Sequence, residues 1–130
     1  MIKQYVYIST AVGLPREQVD EILTTCARNN AAKNVTGLLL YNGRNFLQLL
    51  EGKAESLDQL MSAIEADERH EGVLVMHTGE VEERTCPEWA MKLLAISEGI
   101  EVRQQRLEEE LPAAIDPVIR KLVLNFAMLN

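Results

Sequence analysis

Residues 35–52, Val-Thr-Gly-Leu-Leu-Leu-Tyr-Asn-Gly-Arg-Asn-Phe-Leu-Gln-Leu-Leu-Glu-Gly, constrain the fold more than any other stretch. Two apolar runs flank Asn42-Gly43, the dipeptide best suited to a two-residue type I′ turn, so the segment reads as a β-hairpin. Phe46, Gln48 and Leu50 point one way and Leu47 and Leu49 the other. Both faces of the hairpin are therefore apolar, and both need cover. Gln48 stands alone among leucines. Its amide must face water or find partners for a group that both donates and accepts.

The rest of the chain supplies the cover. In Ile2–Ser9, Val6 and Ile8 share one strand face and Tyr5, Tyr7 and Ser9 the other. Gly13-Leu14-Pro15 breaks that strand, and Pro15 with Glu17 suits a helix start. Val19, Ile22, Leu23, Cys26 and Ala27 form an amphipathic stripe that is expected to end at Asn29-Asn30. A second helix is expected from about Ala54, with Leu57, Leu60, Met61 and Ile64 facing inward and Asp67–Gly72 closing it. Val73–Met76 reads as a buried strand. Trp89, Met91 and Leu93 alternate onto one face of a last strand after Pro87.

The order β-α-β-β-α-β-β is a ferredoxin-like α+β sandwich, with both helices on one face of the sheet. The other face falls to the tail or to a partner chain. Ile115, Ile119, Leu122, Phe126 and Leu129 recur at helical spacing and can supply a tail helix. Polar 98–110 suits a shorter, solvated helix before it. The expected organisation is one α+β domain at 1–95 and a helical extension at 96–130.

Totals exclude several classes. The 130 residues suit one domain, and 47% hydrophobic with 25% charged residues allow a real core. A net charge of −7 disfavours direct nucleic-acid binding. No apolar run approaches a membrane span, and the N-terminus carries no signal-like apolar core, so a cytoplasmic address is expected. Cys26 and Cys86 form no metal pattern with His70 or His77. No nucleophile motif or phosphate loop is present.

If Gln48 and Phe46 face the groove between the two helices, Ile22, Cys26 and Asn30 line it from one helix and Leu57, Leu60 and Ile64 from the other. The result is an apolar slot with amides at its edge, the makeup of a small-ligand site. Asn30 and Gln48 each offer a C=O and an NH2, which complement a ring edge alternating donor and acceptor, such as the pyrimidine side of a flavin. Tyr7 can reach Gln48 across the sheet.

Tyr7-Ile8-Ser9, Arg28-Asn29-Asn30, Thr36–Tyr41, Phe46–Gly52, Asp67-Glu68-Arg69-His70 and Trp89-Ala90-Met91 together resemble the BLUF domain, the blue-light sensor using FAD. Each motif alone is weak, but their joint order and spacing, from about Ile2 to about Leu94, are specific. The tail resembles that of short, single-domain BLUF proteins with two C-terminal helices and no fused output enzyme.

The resemblance implies a non-enzymatic photoreceptor that binds FAD, with FMN or riboflavin tolerated, and needs no metal. The ring would lie between Ile22 and Ile64, with Asn30 at its C4=O and N3-H edge, Asn29 near C2=O and Phe46 close by. Asp67, Arg69 and His70 would line its far side or the ribityl chain. Tyr7 would give the excited flavin an electron and then a proton. Gln48 would rotate or tautomerise, and its new bond to C4=O would shift absorption to the red. Trp89 and Met91 would carry the change onward, either one being the neighbour of Gln48. The partners implied are FAD, further copies of the chain and an unidentified downstream protein, with no nucleic acid or membrane.

Read without the resemblance, the same fold is a chromophore-free ligand-binding or regulatory module. Tyr7 is then an ordinary strand tyrosine, Asn30 a helix terminator, and Trp89 a core plug beside Met91. An acylphosphatase-type enzyme shares the topology. Its phosphate-holding loop is missing, since Ser9–Gly13 has one glycine and no arginine precedes Arg16.

Overall fold

Alternation in the first ten residues makes Ile2–Thr10 a strand, β1, and that strand becomes an inner member of a five-stranded sheet. The computed structural model describes residues 1–10, 15–41, 45–66, 71–85, 92–94, 105, 108–109 and 111–128. After β1 come α1 (Arg16–Ala32), β2 (Thr36–Tyr41), β3 (Asn45–Gly52), α2 (Ala54–Ala66), β4 (Glu71–Val81), β5 (Lys92–Leu94) and α3 (Pro117–Met128). The strand order is β4-β1-β3-β2-β5. β1 is antiparallel to β3 and β4, β2 is antiparallel to β3, and β5 runs parallel to β2.

The β1-α1-β2 and β3-α2-β4 crossovers each skip one strand, in opposite directions. Right-handed crossovers of that kind place both helices on the same face. The expected ferredoxin-like order is therefore the observed one.

Two cores follow from the two apolar faces. Tyr7 and Leu50 pack with Val35 and with Leu57, Leu60, Met61 and Ile64 of α2. Val6, Leu38, Leu40, Leu47 and Leu49 point the other way and pack with Leu111, Ile115, Ile119, Val123, Phe126 and Ala127. The tail thus covers the second face. Asp116 caps α3, its Oδ1 accepting from Val118 N–H at 2.8 Å, and Pro117 opens the helix. Each of Ile119, Val123 and Phe126 contributes roughly 1.5–3 kcal/mol of burial. The seam of α3 passes through Val123 and Ala127. Leu122, expected in it, is only partly buried, and Leu129 lies outside the described residues.

Three sequence expectations shift. The register pairs Tyr41 with Phe46, so the connection is longer than a two-residue turn; residues 42–44 themselves lie outside the described set. Asn45 belongs to β3, where its Oδ1 accepts from Thr10 Oγ1 at 3.2 Å.

Helix α1 runs past Asn29-Asn30 to Ala32, because Ala31 and Ala32 favour helix. It closes in a Schellman motif. Val35 N–H donates to Asn30 O at 2.8 Å and Asn34 N–H to Ala31 O at 3.2 Å. The left-handed residue is Asn34, with φ 60°.

Strand β4 spans eleven residues rather than the four of Val73–Met76, and it is an edge, not a buried strand. Leu74, Val75 and Met76 are exposed. Register shifts against β1 accompany this edge position. Of the solvated helix expected at 98–110, only positions 105, 108 and 109 are described; they are helical and exposed, as expected.

At the surface Asp58 Oδ1 accepts from Tyr5 O–H at 2.7 Å and from Lys3 Nζ at 3.1 Å, tying β1 to α2. These two donors, the tyrosine foremost, hold the Asp58 carboxyl below the ordinary carboxylate range. Among the described residues, no helix is long and apolar enough to cross a membrane.

Gly37 marks a position where only glycine fits. Its φ is 155°, and an added Cβ would overlap the Leu49 carbonyl oxygen of the neighbouring strand. Gly37→Ala is expected to destabilise the protein by about 3 kcal/mol or more, read from denaturant unfolding. Gly72, with φ 57° and open space around its Cα, is the control: alanine there should cost only about 1–2 kcal/mol of backbone strain. Equal losses at the two positions would show that the strand separation at Gly37 is not as tight as described.

Candidate functional site

The sheet register brings the site residues together. Gln48 sits on β3 directly between Tyr7 of β1 and Leu39 of β2. All three are buried, at 2%, 1% and 2% exposure. Directly opposed residues on one face are close enough for a tyrosine to reach its partner. Here the Tyr7 O–H donates to Gln48 Oε1. The amide oxygen is engaged by the phenol, so a hydrogen bond from this side chain to an acceptor must leave from Nε2. The sequence left Gln48 between water and a partner; it has a partner.

Neighbouring rows complete the face. Ser9 is paired with Phe46 and Phe46 with Tyr41, and the Tyr41 and Phe46 rings stack with centroids 4.5 Å apart. On the other side Tyr5 is opposite Leu50, and Leu50 opposite Gly37. Ser9 and Phe46 are buried.

The helices crossing this face contribute Ile22 and Val19 from α1, and Leu57, Leu60, Met61 and Ile64 from α2, all buried. Asn30, two turns along α1 from Ile22, is 1% exposed. Its carbonyl is taken by Val35 N–H in the Schellman turn, which fixes the last turn of the helix. Its side-chain Nδ2 is buried and has no partner among the described residues. A buried donor left unmade costs about 1–3 kcal/mol and calls for an explanation. An acceptor on a ligand is one. A planar ring edge with carbonyl oxygens fits this donor and the apolar walls, and it fits a glutamine amide that can offer either end.

Not every expected residue joins this group. Asn29, next to Asn30, is exposed on α1. Asp67, Arg69, His70, Trp89 and Met91 lie outside the described residues, as does the Cys26 side chain. One polar knot was not foreseen. Glu51 has no exposed surface and is held by Gln4 and Thr85. Its signal in the sequence was a charge inside the apolar run Leu47–Gly52.

Known proteins resemble this chain in sequence and in fold. A family model described as sensors of blue-light using FAD matches residues 2–92. Photoactivated adenylate cyclase subunit beta of Euglena longa is 37% identical over 87 residues, 65% of this chain and 10% of that protein. The blue light- and temperature-regulated antirepressor BluF of Escherichia coli K12 is 29% identical over 112 residues, 86% of this chain and 26% of its own length. The dark-state structure of BlrB, a BLUF protein, aligns with a TM-score of 0.70 at 27% identity, covering 95% of this chain and 84% of that one. The chain thus spans about a tenth to a quarter of these two curated relatives. The chromophore-free reading gains no support from these matches.

Proposed function

Since the chain belongs to the BLUF family, the sensors of blue light using FAD, we propose that Tyr7, Gln48 and Asn30 hold a flavin and convert its excitation into a hydrogen-bond change. The observation that carries this reading is the buried Tyr7–Gln48 pair on the face crossed by a helix with an unpartnered Asn30 donor. FAD is the proposed ligand, with FMN or riboflavin accommodated at the same ring site. Ile22, Ile64 and Phe46 would flank the ring, and Asn29, Asp67, Arg69 and His70 are proposed at its rim. An open hollow on the outer side of α1, lined by Glu17, Asp20, Glu21, Thr24 and Thr25, repels an anionic dinucleotide and is not the site.

Bound flavin supplies blue absorption and, once excited, a strong electron acceptor. Tyr7 would supply an electron and then its phenolic proton to the excited flavin and would recover both before the cycle ends. While that proton is away, Gln48 Oε1 has lost the donor that fixed it, and the amide turns or tautomerises. The side chain then presents a different end to the ring carbonyl, which is read as a red shift. One hydrogen bond exchanged is worth about 1 kcal/mol. That suffices to bias a two-state element and not to force a large rearrangement. Trp89 and Met91 are the proposed relays into β5.

In this reading the chain acts as a sensor rather than an enzyme, in the cytoplasm, without direct contact with nucleic acid or membrane. Residues 1–95 form the flavin-binding unit and 96–130 the output extension, working as a homo-oligomer on a downstream protein. The test is spectroscopic. Purified protein should carry a flavin spectrum that shifts reversibly to the red under blue light. A protein that takes up no FAD, FMN or riboflavin would overturn the reading.

A further inference from the structure

Glu51 lies three residues beyond Gln48 on β3 but on the opposite face of the sheet, fully buried. A carboxyl survives there only with donors around it. Gln4 Nε2 donates to Oε2 at 2.8 Å from the facing residue of β1. Thr85 donates twice, from its backbone N–H at 3.0 Å and from Oγ1 at 2.9 Å. Its neighbour Arg84 donates to Glu51 O at 2.8 Å, to Thr36 Oγ1 at 2.9 Å and to Asn34 O at 2.6 Å.

These contacts converge on two chain positions just past the end of β4, on the way to β5. Asn34 is the left-handed residue of the turn that ends α1, the helix carrying Asn30. Glu51 is the last residue but one of β3, the strand carrying Gln48. Arg84-Thr85 therefore grips, at one point, both elements that bring amides to the proposed flavin.

We propose that Glu51 and Arg84-Thr85 form a transmission latch, through which rearrangement at Gln48 alters the hold of β3 on Arg84-Thr85, just past the end of β4. The latch rests on the photoreceptor reading above. Strand β3 connects Gln48 to Glu51 through three peptide units held by ladders on both sides, so a small adjustment of β3 appears at Glu51 as altered donor distances. Glu51 is a positioning residue: it touches the Thr85 donors and acts through them.

Amide hydrogen exchange at Thr85, followed by NMR in the flavin-loaded full chain, tests this. In the dark the Thr85 N–H is held by the Glu51 carboxyl and should exchange slowly. Under continuous blue light its exchange should rise by about fivefold, the factor that corresponds to one weakened hydrogen bond. Glu51→Leu, which removes both oxygens that accept from the Thr85 N–H, should show fast exchange in light and dark while keeping the red shift. Thr85→Val keeps the backbone donor and removes Oγ1. It should shrink the light–dark difference, and it keeps the test open if the Glu51 variant does not fold. A purely structural role for Glu51 would make its variants less stable without making the wild-type Thr85 amide respond to light. A normal red shift with identical light and dark exchange at Thr85 overturns the latch alone. Absence of the red shift in the wild type removes the photoreceptor reading and the latch with it.

Discussion

Tyr7→Phe should bind flavin, stay folded and show no red shift under blue light. The ring of Tyr7 is packed in the core with Leu50 and the inner face of α2, and phenylalanine keeps that packing. The change removes the O–H that donates to Gln48 Oε1. Loss of one donor to a buried amide costs about 1–3 kcal/mol, well inside the stability of an ordinary domain. The photochemical effect is far larger. A phenyl ring has no proton to give and is much harder to oxidise than a phenol, so charge separation at this position stops. Flavin fluorescence should rise as that quenching route closes. Absorption difference spectra and fluorescence of the variant against the wild type check both statements. A normal red shift in Tyr7→Phe would mean that another residue is the donor, and Tyr7 would keep only its structural duty.

How far the sequence revealed this site depends on the residue. Period-two alternation placed Tyr7 and Gln48 on definite strand faces, and the register then made them direct neighbours. Helical spacing likewise put Ile22 and Asn30 on one side of α1, where both are buried. Boundaries were less legible. Asn29-Asn30 resembled a helix end, yet the helix runs on to Ala32 and the chain turns at the next asparagine, Asn34, since Ala31-Ala32 cost nothing to wind. Val73–Met76 looked like a buried strand because apolarity reports a preference for burial and not a place in the strand order. β4 landed at the edge, with Leu74 and Met76 exposed. Glu51 was hidden for the opposite reason. Its partners are 34 and 47 positions away, and no local pattern announces bonds of that range.

Gln48→Leu separates electron donation from the hydrogen-bond switch. Leucine keeps most of the volume of a side chain only 2% exposed, and its neighbours across the ladders, Tyr7 and Leu39, can close on it. The Tyr7 O–H loses Gln48 Oε1 as acceptor, an expected cost of about 1–3 kcal/mol, seen as a lowered denaturation midpoint with unchanged slope. Flavin should still bind, through Asn30 and the apolar walls. The red shift should vanish, because leucine has no second end to offer the ring carbonyl. Yet the phenol remains in place, so flavin fluorescence should stay quenched, unlike in Tyr7→Phe. The pair of variants therefore gives a two-way test. Bright without a shift identifies the electron donor, and dim without a shift identifies the switch. A wild-type red shift in Gln48→Leu would show that the amide is not what moves. A bright, unshifted Gln48→Leu would show that the Tyr7–Gln48 bond is needed for electron transfer itself, which would merge the two roles into one.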